Sequence, residues 1–333
     1  MHVHSRVATA NAKINLTLEI LARRAGGFHA LRSVMVPIAL ADEIVVEPSA
    51  AFAFACDAPS LASDNLVERA FAQIGCAGAP FAATLKKRVP VGAGLGGGSS
   101  DAAAVLKLAM VGALGARGER DWVADARALG SDVPFFLADA PAIVEGTGER
   151  VTALGAAPPW WVVLLIPDVH VATGPAYAAL AAQRERTPAP TRPRAGSATL
   201  RCGEALQRAD YAAVVAAMTN DFEPVVRAAH PAVDAALRAL THAGAPGRAM
   251  LSGSGGACFA LFEHERDARA FAARVQAPPN ARIEIVPFAP STTWQTEANQ
   301  SEHRTRGAHQ SEHHNDGAER SEHRDGFTKG EAT

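Results

Sequence analysis

At 333 residues with 48% hydrophobic side chains, the chain is long enough for two domains and a sizeable core. A formal net charge of -2 argues against nucleic acid or an anionic membrane as the partner. Four scattered cysteines without a C-x-x-C pair argue against a disulfide framework or a structural zinc. With no secretion signal in "MHVHSRVATANAK" and no long apolar run beyond Trp160–Ile166, the expected compartment is the cytoplasm.

Alternation places Ile14, Leu16, Leu18 and Ile20 on one face of a strand and Lys13, Asn15, Thr17 and Glu19 on the other. Shorter strands are predicted at Ile44–Val46, Phe52–Phe54 and Thr84–Leu85. The spacing of Leu66, Ala70 and Phe71 predicts a helix over 65–72, with Ser63 or Asp64 as its cap. The run "PVGAGLGGGSSDAA" at 90–103 feeds a helix over Ala102–Met110, and another covers Asp121–Leu129 and stops at Gly130. "PPWWVVLLIP" reads as a buried strand opening a second domain near residue 158. A Pro- and Arg-rich loop at 184–197 is followed by helices over 200–217, 221–229 and 231–242. Strands at 248–252, 257–262 and 282–286, with a helix to about 274, complete a ferredoxin-like alternation. Ser-Glu-His then recurs at 301, 311 and 321 in a charged, apolar-poor segment that reads as a tail outside the fold.

Four stretches carry chemistry. Gly92, Gly94 and Gly97 spell G-x-G-x-x-G, but no strand ending in an acid follows to hold a ribose, and the G-K-[ST] ending of a Walker loop is missing. A glycine loop opening a helix whose first turn holds Ser99 and Ser100 offers free N–H groups to an anion, and the hydroxyls add donors. A plain loop leading into a helix and a dinucleotide turn remain the alternatives. Lys13 and Asn15 in "AKINLTLEIL" fit either a solvated strand face or a polar site. Asp132 in "GSDVPFF" fits a cap or turn, but its apolar neighbours suggest half-burial, where a carboxylate needs a partner such as Lys13. "MLSGSGGACFALF" fits a glycine hairpin between two strands.

In this order the four stretches resemble the GHMP kinases, whose loop has the form P-x-x-x-G-L-G-[GS]-S-[SA]; Pro90–Ser99 reads "PVGAGLGGGS". "AKINLTLEILARRAGGFHALRSVM", "SDNLVERA", "EGTGE" and "NDFEPVV" extend the resemblance over residues 9 to 288. They point to the branch that phosphorylates the 2-hydroxyl of diphosphocytidyl methylerythritol. Homoserine or mevalonate kinases are the alternative, and a Rossmann dehydrogenase is a remote one.

The resemblance implies an α+β two-domain fold: a ribosomal-protein-S5-domain-2-like domain over 1–158, a ferredoxin-like domain over 159–290 and a low-complexity tail over 291–333. It implies ATP and Mg²⁺ as cofactors, a small-molecule partner rather than nucleic acid or membrane, and a monomer or weak homodimer. Asp132 is implied as general base and Lys13 as its charged neighbour. Asn65 and Lys87 fall on the adenosine side. Pro90, Gly92, Gly94, Leu95, Gly96, Gly97, Gly98, Ser99 and Ser100 wrap the triphosphate. The metal ligands stay open, Ser100 being the first candidate. Asn15 and Thr173 fall beside the acceptor, with cytosine between Phe28 and Tyr177 and its edge on His29. Phe28 stands where Tyr is common and Asp101 where Asn is common; an acid there is unfavourable unless it faces Mg²⁺ or solvent.

Overall fold

The computed structural model describes residues 5–23, 29–58, 65–76, 80–114, 119–186, 196–289 and 292–296. Contacts gather the described residues up to Trp294 into one compact unit. The chain opens with two long strands, β1 (Arg6–Arg23) and β2 (His29–Pro48), then β3 (Ala53–Cys56), α1 (Leu66–Gln73) and β4 (Phe81–Lys86). The helices α2 (Gly97–Met110), α3 (Trp122–Leu129) and α4 (Val133–Leu137) follow, then the hairpin β5 (Ala142–Gly146) and β6 (Arg150–Ala153). A second run comprises β7 (Trp161–Ile166), α5 (Thr173–Arg186), α6 (Ala198–Gln207), α7 (Tyr211–Ala217), β8 (Thr219–Asn220), α8 (Glu223–Ala229) and α9 (Pro231–His242). It ends with β9 (Met250–Leu251), β10 (Cys258–Phe262), α10 (Glu265–Ala272), β11 (Arg282–Pro287) and β12 (Thr292–Thr296).

The larger sheet runs β12-β1-β2-β4-β3, with β5 and β6 continuing from β2 and β8 beside β1. The smaller sheet runs β11-β7-β10-β9, and its pairings are antiparallel. α1, α2 and α4 pack one face of the larger sheet around Phe71, Phe81, Phe135 and Phe136, each at most 1% exposed. Burying each such ring contributes ~1.5–3 kcal/mol. On the other side Ile14, Leu16, Val34 and Val36 meet α6, α7 and Trp160 in a second core cluster.

The simple alternation expected along β1 is corrected by register shifts. Asn15 pairs with Met35 but Thr17 pairs with Val34, so Leu16 is the extra residue of a β-bulge. Ile14 and Leu16 therefore join the α6 side, whereas Leu18 and Ile20 return to the α2 side. A further shift between Asn11 and Ala12 brackets Lys13 and Asn15 from the other direction.

Helix ends show similar corrections. Asn65 caps α1 by accepting from the Val67 and Glu68 N–H groups, both at 2.9 Å, while Ser63 and Asp64 lie outside the described residues. The single helix expected over 200–217 divides at Asp210, whose carboxylate caps α7. The strand β12, rich in β-branched Thr and carrying Trp294, stands beside β1 within the stretch that composition assigned to the tail. The Ser-Glu-His repeat lies outside the described residues. Among the described residues no helix is long and apolar enough to cross a membrane.

Candidate active site

The glycine loop is held by three neighbours. Gly92, Gly94 and Gly96 take φ of 71°, 79° and 73°, the left-handed region that favours glycine. The Leu95 carbonyl accepts from the Lys13 N–H and the Ala93 carbonyl from the Ala257 N–H, each at 2.9 Å. The Gly94 carbonyl accepts from the Lys13 ammonium at 2.8 Å and from the Ser252 hydroxyl at 3.1 Å. Gly96 then starts α2 with no side-chain cap, so the first-turn N–H groups are left to whatever enters the pocket.

That pocket, about 380 Å³, is walled by the loop, Lys13, Asn15, Asp132, Thr173 and Tyr177. Lys13 Nζ lies 3.8 Å from an Asp132 carboxylate oxygen and also donates to Asn15 Oδ1 at 2.8 Å. Asn15 in turn donates to the Ser33 hydroxyl at 2.8 Å, which fixes its amide. Burial pulls the Lys13 pKa below the usual lysine value, and the Asp132 charge opposes that pull. Asp132 sits at the start of α4, makes no capping bond and keeps 28% of its side chain exposed. Its neighbours Val133, Phe135 and Phe136 anchor the turn in the core. A carboxylate able to take a proton thus faces a loop able to hold an anion, with an ammonium between them.

A second cavity of about 1010 Å³ shares Leu31, Ser131 and Tyr177 with the first and adds His29, Arg127 and Arg184. His29 stacks on Tyr177 with centroids 5.4 Å apart and planes 24° apart. The two side chains expected on different sides of one base therefore meet each other here. Phe222 meets Tyr177 edge-on at 4.7 Å, and burial, followed by the Asp132 charge, pushes the phenol up to about 12. Phe28 lies outside the described residues.

Several expected contacts are corrected. Pro90, Gly92, Gly94, Leu95, Gly96, Gly97, Gly98 and Ser99 line the pocket. Ser100 does not: it is fully buried and its hydroxyl donates to the Asn11 carbonyl at 2.7 Å. The Asn65 side chain is spent on the α1 cap. Lys87 lines the pocket, but its ammonium is paired with Asp42 and Asp101 behind the loop. Asp101, 1% exposed, therefore does not face solvent.

Sequence reasoning passed over Ser252, Gly253 and Gly255 as parts of a hairpin. A Cβ on Gly255 would collide with Ala93 and Gly94, so the "SGSGG" turn serves as a backstop to the glycine loop. The signal was available in its glycine spacing, which a simple two-residue hairpin does not require.

Comparison with known proteins matches residues 65–140 to the GHMP kinases N terminal domain and 204–281 to the GHMP kinases C terminal domain. The 4-diphosphocytidyl-2-C-methyl-D-erythritol kinase of Symbiobacterium thermophilum is 43% identical over 74% of this chain and 86% of that enzyme. The enzyme of the same name from Cereibacter sphaeroides is 41% identical over 81% of this chain and 94% of its own length. A crystal structure of 4-(cytidine 5'-diphospho)-2C-methyl-D-erythritol kinase superposes with a TM-score of 0.67 at 34% identity, covering 84% of this chain and 99% of that one. Identity of this order, sustained over most of both partners, means that the chain belongs to the GHMP kinase family.

Proposed function

We propose that the protein transfers the γ-phosphoryl group of ATP to the 2-hydroxyl of 4-diphosphocytidyl-2-C-methyl-D-erythritol. The observation that carries this reading is the Lys13–Asp132 pair, 3.8 Å apart in one pocket with the glycine loop and adjoining a cavity edged by His29 and Tyr177. Asp132 takes the proton of the attacking hydroxyl as the new O–P bond forms and the bond to ADP breaks. Lys13 pairs with that carboxylate and offsets charge on the transferring group. The loop amides from Gly94 to Ser99 hold the phosphates, and Asn15 and Thr173 border the acceptor. Among the described residues no group of three or more His, Cys, Asp or Glu side chains converges on a metal position. An Mg²⁺ arriving with the nucleotide would neutralise charge on its phosphate oxygens.

The cytidine base is assigned to the second cavity, where Tyr177 offers a ring face once His29 turns to the base edge. Tyr177→Ala is expected to raise the KM for the cytidyl substrate about tenfold or more, with the KM for ATP unchanged, because stacking contributes ~1–3 kcal/mol per base. A variant with wild-type KM would remove the ring from recognition. The test of the whole reading is a mass-spectrometric transfer assay offering the cytidyl substrate, homoserine and mevalonate side by side. Phosphorylation of either small acceptor but not of the cytidyl compound would overturn it.

A further inference from the structure

We propose that Asp101 works in this chain as an un-ionised carboxylic acid, and that its proton positions the nucleotide-binding turn of α2. The inference rests on the ATP reading above. Its ground is a buried cluster directly behind the glycine loop. Lys87 Nζ donates to Asp101 Oδ2 at 2.7 Å and also to Asp42. Asp42 is fully buried, and its other oxygen accepts from the Arg88 N–H and, at 2.8 Å, from the Val89 N–H. Three donors thus reach Asp42. Asp101 has the Lys87 ammonium alone for a cationic donor: its Oδ1 is buried without a partner, and the residue is 1% exposed. Two carboxylates around one ammonium leave a net negative charge that this enclosure has no means to solvate.

One proton removes the excess, and Asp101, the less well satisfied acid with its Oδ1 unpartnered, holds it. Burial first, then the Asp42 charge, raise Asp101 to about 8 against the opposing pull of Lys87. Lys87 itself loses by burial but gains more from Asp101 and Asp42, so it stays charged. Other elements around the turn bring Asn11 from β1, Leu66 from α1 and Phe136 from α4. Lys13 reaches Gly96 from the pocket side. A protonated acid matches an amide in size, in charge and in having one donor side and one acceptor side.

Loss of the proton would put a full negative charge one residue beyond the first turn of α2, against the dipole that favours phosphate. Nucleotide affinity should therefore fall as pH rises through about 8. The sign for stability is the same. A carboxyl whose folded-state pKa is raised contributes fully below the ordinary carboxylate range, and that contribution is lost as pH climbs to about 8.

The test uses the full chain, wild type and Asp101→Asn, with a non-hydrolysable ATP analogue titrated calorimetrically from pH 6.5 to 9.5. Wild type should weaken by about tenfold for each pH unit beyond the proton's loss, as expected when binding requires one bound proton. Asp101→Asn should match wild type at pH 6.5, stay flat within about twofold and melt higher than wild type at pH 9. Infrared spectra of the wild type should show a carboxylic-acid carbonyl band that disappears over the same pH range, a readout that survives even if the variant folds poorly. An equal alkaline slope in the variant, or no such band in the wild type, would overturn the proposal. Wild type that binds no nucleotide at any pH would instead sink the ATP reading, and with it the positioning role.

Discussion

Asp132→Asn is expected to lower kcat by about 10²–10⁴-fold while leaving the KM for ATP within about twofold. The amide keeps the shape of the carboxylate but cannot accept the hydroxyl proton. Little of the fold depends on that charge, since Asp132 makes no capping bond and 28% of its side chain is exposed. Lys13 retains its bonds to Asn15 and Gly94 in the variant. Thermal stability should therefore move by no more than a few degrees, roughly the range of a surface substitution. Turnover near wild type would take Asp132 out of the chemistry. A parallel collapse of stability would mean that its role is structural.

Gly94→Ala should cost both stability and nucleotide affinity. A Cβ there lies 2.8 Å from the Gly255 nitrogen and closer still to the Ser252 carbonyl oxygen, at a φ of 79°. Left-handed backbone costs ~1–3 kcal/mol for a non-glycine residue, and overpacking adds ~1–3 kcal/mol. Both neighbours are main chain, so neither can swing aside as a side chain would. The loop must move instead, and ATP affinity should drop by about tenfold or more, the equivalent of ~1.4 kcal/mol. Gly112→Ala is the control: its φ is 73°, but nothing lies within 4 Å of the added carbon. Equal melting temperatures and equal ATP affinities for the two variants would show that the contact with the "SGSGG" turn is unimportant.

What the residues made legible depended on how local the physics was. The glycine run announced an anion site because its ingredients, left-handed backbone and an uncapped helix start, lie within ten residues. The buried strand at Trp161–Ile166 was equally plain from its apolar run. The helix α5 was not, since Ala176 and Leu180 are its buried side chains and too few to mark a stripe. The faces of β1 were misread because a bulge belongs to the pairing of two strands, and alternation in one strand carries no trace of it. Lys13 entered as a partner for Asp132 because a half-buried carboxylate needs one, and the family resemblance then joined the two in one site, as their spacing gives no hint of contact. The ion pairs of Lys87 were hidden for a similar reason: its partners Asp42 and Asp101 come from β2 and α2. Three adjacent capping residues, Ser63, Asp64 and Asn65, offered no local basis for choosing the third.

The β1–β2 pair also acts as a gauge of molecular length. From the Lys13–Pro37 rung to the Ile20–Leu31 rung the strand advances roughly 23 Å, at about 3.3 Å per residue, less whatever the bulge takes up. The Lys13 end lines the smaller cavity, while Leu31 at the other end lines both cavities. On the proposed function, an acceptor that enters both cavities would be held along that span, whereas a short alcohol would meet one end only.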